Sequence, residues 1–142
     1  MKKVFLLIPS LKDDGPVRGA IAIANGLCKY FEVSLVVLKK KFSHRVFIKP
    51  EIEIISLGKS PLWFTKYRIY KKILDEKCGD KKPISISFCF SADLINLLAK
   101  NNATIISSVR ASIPLTYYST YGWPGKILAK FHIQILRKFE HV

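Results

Sequence analysis

The sequence predicts an α/β domain: three α/β/α layers, Rossmann-like, around a mostly parallel sheet. Two observations predict it. Short, β-branched apolar runs alternate regularly with segments of helical periodicity. The runs are apolar almost throughout, the pattern of strands covered by helices on both faces. At 142 residues the chain fits one domain, 1–142, able to bury a core without staples, and 49% hydrophobic content places it among globular proteins.

Val4-Phe5-Leu6-Leu7-Ile8 reads as a buried first strand. A polar turn, Pro9 to Gly15, leads into a helix from about Pro16, whose Val17, Ala20, Ile21, Ala24, Leu27, Cys28 and Phe31 share one face. Val33 to Leu38 is a second strand. Lys39 to Lys49 is a loop with five positive charges and no acid, and Glu51 to Leu57 is a third strand nearer an edge. Pro61 introduces a helix over Leu62 to Cys78, with Trp63, Tyr67, Tyr70 and Leu74 in one stripe. Ile84 to Phe90 is a fourth strand, and Ser91 suits the N-cap of a helix from Ala92 to Lys100. Ala103 to Val109 is a fifth strand, and Arg110 to Trp123 reads as a long polar-aromatic loop. From Pro124 a helix runs to about Phe139 with Ile127, Leu128, Phe131, Ile135 and Phe139 inward, and His141-Val142 begins a sixth strand.

Twenty-four Lys and Arg against ten Asp and Glu give a formal charge of +14. Self-repulsion of this size points to a polyanionic partner: nucleic acid, an anionic membrane surface or a phosphorylated substrate. Cys28, Cys78 and Cys89 are odd in number and widely spaced. No histidine stands at a metal-ligand spacing from them, so no metal site is expected and a reducing cytosol is the natural home. Pro9, Lys12, Asp13 and Asp14 break the apolar start before it can act as a signal peptide, and no uncharged apolar run approaches the ~20 residues needed to span a bilayer. No dinucleotide fingerprint, P-loop or nucleophile elbow occurs. His44, His132 and His141 fall in a basic loop, a helix and the tail, and His132, beside Phe131, reads as a surface residue. No catalytic residue is assigned.

Three stretches remain as candidate sites. In the turn Lys12 to Arg18, Gly15 permits close backbone approach and Arg18 lies on the first helical turn, although Asp13 and Asp14 would repel a phosphate. On the same rim of the sheet, Ser108 and Arg110 follow the fifth strand, and a guanidinium there can clamp phosphate or carboxylate with two parallel hydrogen bonds. Third, Trp63, Lys66, Arg68, Lys71 and Lys72 give the second helix a basic-aromatic pattern suited to a membrane interface, with a weaker echo in Trp123 to Lys138.

The order of these parts carries a resemblance. Gly15-Pro16-x-Arg18, then Ala22-x-Ala24-Asn25-Gly26-Leu27, then Glu32-Val33-Ser34-Leu35-Val36 resembles the opening of a family 4 glycosyltransferase. Ile84 to Phe88, Ser91 to Lys100 and Ile105-Ile106-Ser107-x-x-Arg110-x-x-x-Pro114 resemble later parts of the same domain, so the likeness spans essentially all 142 residues. Asp14 stands where the family's turn has its first glycine, and Ala111 where relatives often carry Asn. The resemblance implies one half of a GT-B fold, the N-terminal, acceptor-side domain of a retaining enzyme. Its nucleotide-sugar donor, a co-substrate rather than a cofactor, would be held by a C-terminal domain that these residues do not include, so the chain alone should not turn over. The implied acceptor is a saccharide or lipid-linked saccharide of bacterial surface polysaccharide, met at the inner face of the cell membrane. Gly15, Arg18 and Arg110 carry across as acceptor-side positions. A basic nucleic-acid-binding module and a non-catalytic peripheral membrane protein are the alternatives. No nucleic acid is expected, since no zinc finger, helix-turn-helix or RNP-type strand stands out.

Overall fold

The computed structural model describes residues 1–39 and 47–142. Most of the predicted basic loop, including Lys40, Lys41 and Arg45, lies outside the described residues, as does His44. Strands β1 (Lys3–Ile8), β2 (Glu32–Val37), β3 (Glu53–Ser56), β4 (Ile84–Ser87) and β5 (Thr104–Ser107) form one sheet in the order β3-β2-β1-β4-β5. Every pairing is parallel. The helices are α1 (Gly15–Leu27), α2 (Trp63–Cys78), α3 (Phe90–Leu98), α4 (Ile113–Tyr121) and α5 (Trp123–Leu136).

The central strand is β1, paired on both edges, and its Val4 to Ile8 are all buried. The pleat divides these residues between two cores. Val4, Leu6 and Ile8 meet Leu35 and the α1 stripe Val17, Ala20, Ile21 and Ala24. Phe5 and Leu7 meet Val36, Tyr70 and Leu74 of α2, Ile95 of α3 and Leu136 of α5. Helix α1 on one face and α2, α3 and α5 on the other make the three layers of a Rossmann-like α/β/α domain. The expected edge position of the third strand holds, since β3 ends the order. The expected sixth strand is present as a single parallel bridge: Ile106 pairs with His141, and Ser107 N donates to His141 O at 3.1 Å.

The carboxyl-terminal third departs from expectation in three places. Residues Arg110 to Trp123 are not a loop, because Ile113–Tyr121 is helix α4, with Pro114 in its first turn and Gly122 at its end. Gly122 takes the left-handed φ of 65°, and its N–H closes on Tyr118 O at 2.8 Å, so α4 and α5 form a hairpin joined through one residue. This turns part of the predicted inward face of α5 outward: Ile135 and Phe139 are buried as expected, whereas Ile127, Leu128 and Phe131 are not. Gly125 lies so close to the Tyr117 backbone that a Cβ there would overlap its carbonyl oxygen. The buried stripe is therefore Gly125, Ala129, His132, Ile135 and Leu136, and Ile127, Leu128 and Phe131 face outward. Finally, α3 starts before Ser91. Cys89 adopts φ 88°, which turns the chain sharply out of β4 and makes Cys89, not Ser91, the N-cap residue.

Gly125→Ala should cost about 1–3 kcal/mol of stability in urea unfolding through overpacking of the hairpin. Gly26→Ala, in α1 with open space around it, should instead raise stability by about 0.5–1 kcal/mol. Glu53 accepts Lys77 Nζ at 2.8 and 2.9 Å and Ser34 Oγ at 3.2 Å, and the Lys77 bond foremost holds its carboxyl below the ordinary value of 4.5. A depressed carboxylate stabilises the fold above its ordinary value and loses that contribution as pH falls through the lowered one. Lys77→Ala should therefore flatten the acid limb of the stability profile, while costing under about 1 kcal/mol at pH 7 because the pair is half exposed.

Candidate functional site

The strand order reverses at β1, which connects outward through α1 to β2 on one side and lies beside β4 on the other. Open parallel sheets place ligands at such a switch point, beyond the carboxyl ends of the strands. The segments after β1, β4 and β5 meet there.

The segment after β1 is internally satisfied. Asp14, in extended backbone (φ −122°, ψ 164°), caps α1 by accepting the Val17 N–H at 3.1 Å. Arg18 Nε donates to Asp13, which keeps the exposed guanidinium on its own turn. Gly15 faces open space. Asp13 and Asp14 thus hold the helix start, as their sequence positions imply, and Gly15 and Arg18 stand at the rim without converging on a shared point.

Arg110 reaches farther. From the segment after β5 its guanidinium lies 5.8 Å over the ring of Phe88, the buried residue following β4, and rests against Gly19 of α1. Any Cβ at Gly19 would overlap it. One side chain thereby links the segments that follow β4 and β5 to helix α1, and Gly19, which sequence reasoning passed over, is its seat. Ser108, half-buried, is fixed by its N–H to Ser87 O at 2.9 Å and lines a neighbouring cleft.

That cleft, of about 580 Å³, opens between the start of α3, the segment after β5 and the α4–α5 hairpin; Phe90, Ile113, Tyr121 and Leu128 give it an apolar wall. Its polar wall was not foreseen. Asp93, 1% exposed, accepts Ser87 Oγ at 2.6 Å and Ser107 Oγ at 2.7 Å on Oδ1, and His132 Nε2 lies 2.7 Å from Oδ2. The other ring nitrogen, Nδ1, lies 3.1 Å from the Tyr117 hydroxyl, so the imidazole links the carboxylate to the phenol. Burial, then the Asp93 charge, pushes the Tyr117 phenol up to about 12, so at neutral pH it stays a hydrogen-bond donor. Asn96, one turn after Asp93, bonds Ser85 O at 3.0 Å and Ser87 Oγ at 3.1 Å. His132 is therefore buried and bonded, not a surface residue. Its signal in the sequence was the small-residue spacing Gly125-x-x-x-Ala129, which marks the face toward α4. For Asp93 the signal was a lone acid in an apolar helix beside strands carrying inward serines.

Of the α2 residues predicted to face a membrane, four are exposed and one is not. Trp63, Arg68, Lys71 and Lys72 are exposed, but Lys66 is buried. The stripe that enters the core is Lys66, Tyr70, Leu74, at steps of four, so Trp63 falls outside it. Lys66 Nζ donates to the carbonyls of Leu38 and Gly58, just beyond β2 and β3. Burial, then the nearby charge of Lys39, lowers its ammonium from the ordinary value. Lys66 pins α2 to the sheet and is removed from the membrane-facing set.

Asp93→Ala should cost about 3–5 kcal/mol, since it strips three donors of their acceptor at once. Tyr117→Phe, which removes only the outer bond, should cost about 1 kcal/mol. Chemical denaturation of the two variants beside the parent checks the ratio.

Among the described residues no group of three or more His, Cys, Asp or Glu is placed to hold a metal ion, and no helix is long and apolar enough to cross a membrane. Compared with models of known protein families and with curated proteins, the chain matches none.

Proposed function

We propose that this domain is the acceptor-side half of a GT-B glycosyltransferase of family 4 type, holding a saccharide or lipid-linked acceptor for sugar transfer from a nucleotide-sugar bound by a second domain. The observation that carries the proposal is the reach of Arg110 across the switch point to Gly19, beside a cleft with an apolar wall and a hydroxyl-bearing one. A planar guanidinium backed by an aromatic ring offers a phosphate two parallel N–H donors. An adjacent apolar wall suits the first carbons of a lipid carrier, and Ser108 offers a donor, and the bonded Tyr117 oxygen a free lone pair, to sugar hydroxyls. The role of such a half is positioning: it holds the acceptor hydroxyl toward the donor and contributes through orientation. The motif order from Gly15 to Pro114 supports the family. The charge of +14 supports a peripheral place on an anionic inner leaflet.

Isothermal titration with a water-soluble, short-chain lipid-diphosphate-linked saccharide tests the reading. Gly19→Ala, which puts a methyl group on the guanidinium's seat, and Arg110→Lys, which keeps charge but loses the fork, should each weaken binding about ten-fold or more, or 1.4 kcal/mol. Gly15→Ala, facing open space, should leave it within about two-fold, well under 1 kcal/mol. No binding by the parent chain, or unchanged binding by Arg110→Ala, would refute the acceptor role.

A further inference from the structure

The α4–α5 hairpin turns an apolar surface outward that nothing among the described residues covers. Along α5, Trp123, Ile127 and Phe131 recur every four residues on one flank, and they are 69%, 58% and 51% exposed. Leu128 and Tyr121 continue that flank into the mouth of the cleft, and Phe131 packs against Phe90 on its opposite lip, with ring centroids 6.2 Å apart. On the other flank of α5 stand Lys126 and Lys130, the former 5.1 Å over the Tyr118 ring of α4. Between Asp93 and Glu140 the sequence has no acidic residue and six Lys or Arg. An aromatic and aliphatic stripe bordered by lysines, on a helix whose opposite face is buried, is the arrangement of a helix lying in a membrane interface.

We propose that the α4–α5 hairpin, rather than α2, is the face by which this protein docks on an anionic lipid bilayer. The inference rests on the peripheral location proposed above and specifies its surface. Charge selects the occupant. A second copy would bring two acid-free, lysine-bearing hairpins together, a like-charge contact that costs rather than stabilises. A nucleic acid would meet the lysines but leave Trp123, Ile127 and Phe131 in water. A bilayer satisfies both flanks, with rings and aliphatic chains at the acyl boundary and ammonium groups among the phosphates. α2 fits less well, because Lys66 points into the protein and its exposed Trp63 and Phe64 lie at one end only. Docked through α5, the protein would open its cleft along the bilayer surface, because Leu128 and Tyr121 belong to both the cleft wall and the docking stripe.

The chain's two tryptophans allow a direct test, since Trp63 lies on α2 and Trp123 on α5. With phosphatidylglycerol–phosphatidylethanolamine vesicles, Trp63→Phe protein, reporting only Trp123, should shift its emission to the blue and be quenched by brominated lipid. Trp123→Phe protein, reporting only Trp63, should not. The double substitution Ile127→Ser, Phe131→Ser, at exposed positions that leave the core intact, should reduce vesicle partitioning by about ten-fold or more. Pure phosphatidylcholine vesicles should bind at least about ten-fold more weakly than the anionic ones. A shift of Trp63 alone would overturn the assignment of the face and return it to α2. Absence of vesicle binding would overturn peripheral location altogether, and so would a hairpin-dependent dimer or a hairpin-dependent acidic protein complex in place of vesicle binding. None of these results touches the soluble-acceptor titration, so the acceptor reading stands or falls separately.

Discussion

The burial of Asp93 constrains more of this molecule than any other single feature. A carboxylate removed from water costs several kcal/mol unless its lone pairs are filled. Here the filling comes from four other elements: Ser87 of β4, Ser107 of β5, His132 of α5 and, one bond further out, Tyr117 of α4. Ser87 and Ser107 are direct register partners, so their hydroxyls stand side by side on one face and reach the same oxygen. A slip of one residue between β4 and β5 would put an isoleucine or an outward serine there and leave the carboxylate short of a donor. The network therefore fixes strand register, the seating of α3 on the sheet, and the height of the α4–α5 hairpin above the cleft.

The sheet and its first two helices were legible in the sequence because their signals are local. Apolar runs with no alternation, and stripes such as Val17, Ala20, Ile21 and Ala24, specify burial without knowledge of any partner. The hairpin was illegible because its inward face is set by contact between two helices. Taken alone, α5 offers Ile127, Leu128 and Phe131 as the more hydrophobic stripe, and only the close approach of Tyr117 to Gly125 selects the other. The Pro114 and Gly122 punctuation did mark α4, but a helix with no buried residue shows no periodicity to read. Lys66 was misplaced for a related reason. A long ammonium side chain enters the core when carbonyls beyond two strand ends await donors, and those carbonyls are remote in sequence. The rim positions of Gly15, Arg18, Ser108 and Arg110 were legible because each follows the end of a strand, but that Arg110 and Ser108 lie beside the cleft while Arg18 turns back to Asp13 was not. Gly19, Asp93 and His132 are defined by what they touch, which the sequence does not carry.

The excess charge is distributed unevenly. Lys3 with Glu32, Lys77 with Glu53 and Lys82 with Glu140 pair at or near the amino edge of the sheet, where β1, β2 and β3 begin. At the carboxyl edge Asp14 is engaged as a helix cap, Asp13 is held by Arg18, and Asp93 is buried with His132. Lys12, Lys39, Lys59 and Arg110 on that edge thus contribute a positive field that local carboxylates offset little. Such a field draws anionic ligands toward the rim and acts over about a Debye length, roughly 8–10 Å at physiological salt. The partition is consistent with a site that receives phosphate without itself being built around a helix N-terminus.

On this reading the docking face and the acceptor cleft are mechanically one unit. Tyr117 and His132 sit at the root of the hairpin, and the bonds that satisfy Asp93 hold that root against β4 and β5. The same bonds set the distance between the stripe Trp123, Ile127, Phe131 and the rim where Arg110 lies on Gly19. A domain that takes a lipid-linked substrate from a bilayer has to keep that distance constant, because a displacement of about 1 Å at the reacting end can cost two orders of magnitude in rate. A purely apolar contact at this root would tolerate sliding, since dispersion is non-directional. A chain of hydrogen bonds ending on a buried charge does not, because each has a narrow range of length and angle. That difference gives a physical reason for a polar network, with its desolvation cost, to occupy the base of an otherwise apolar cleft.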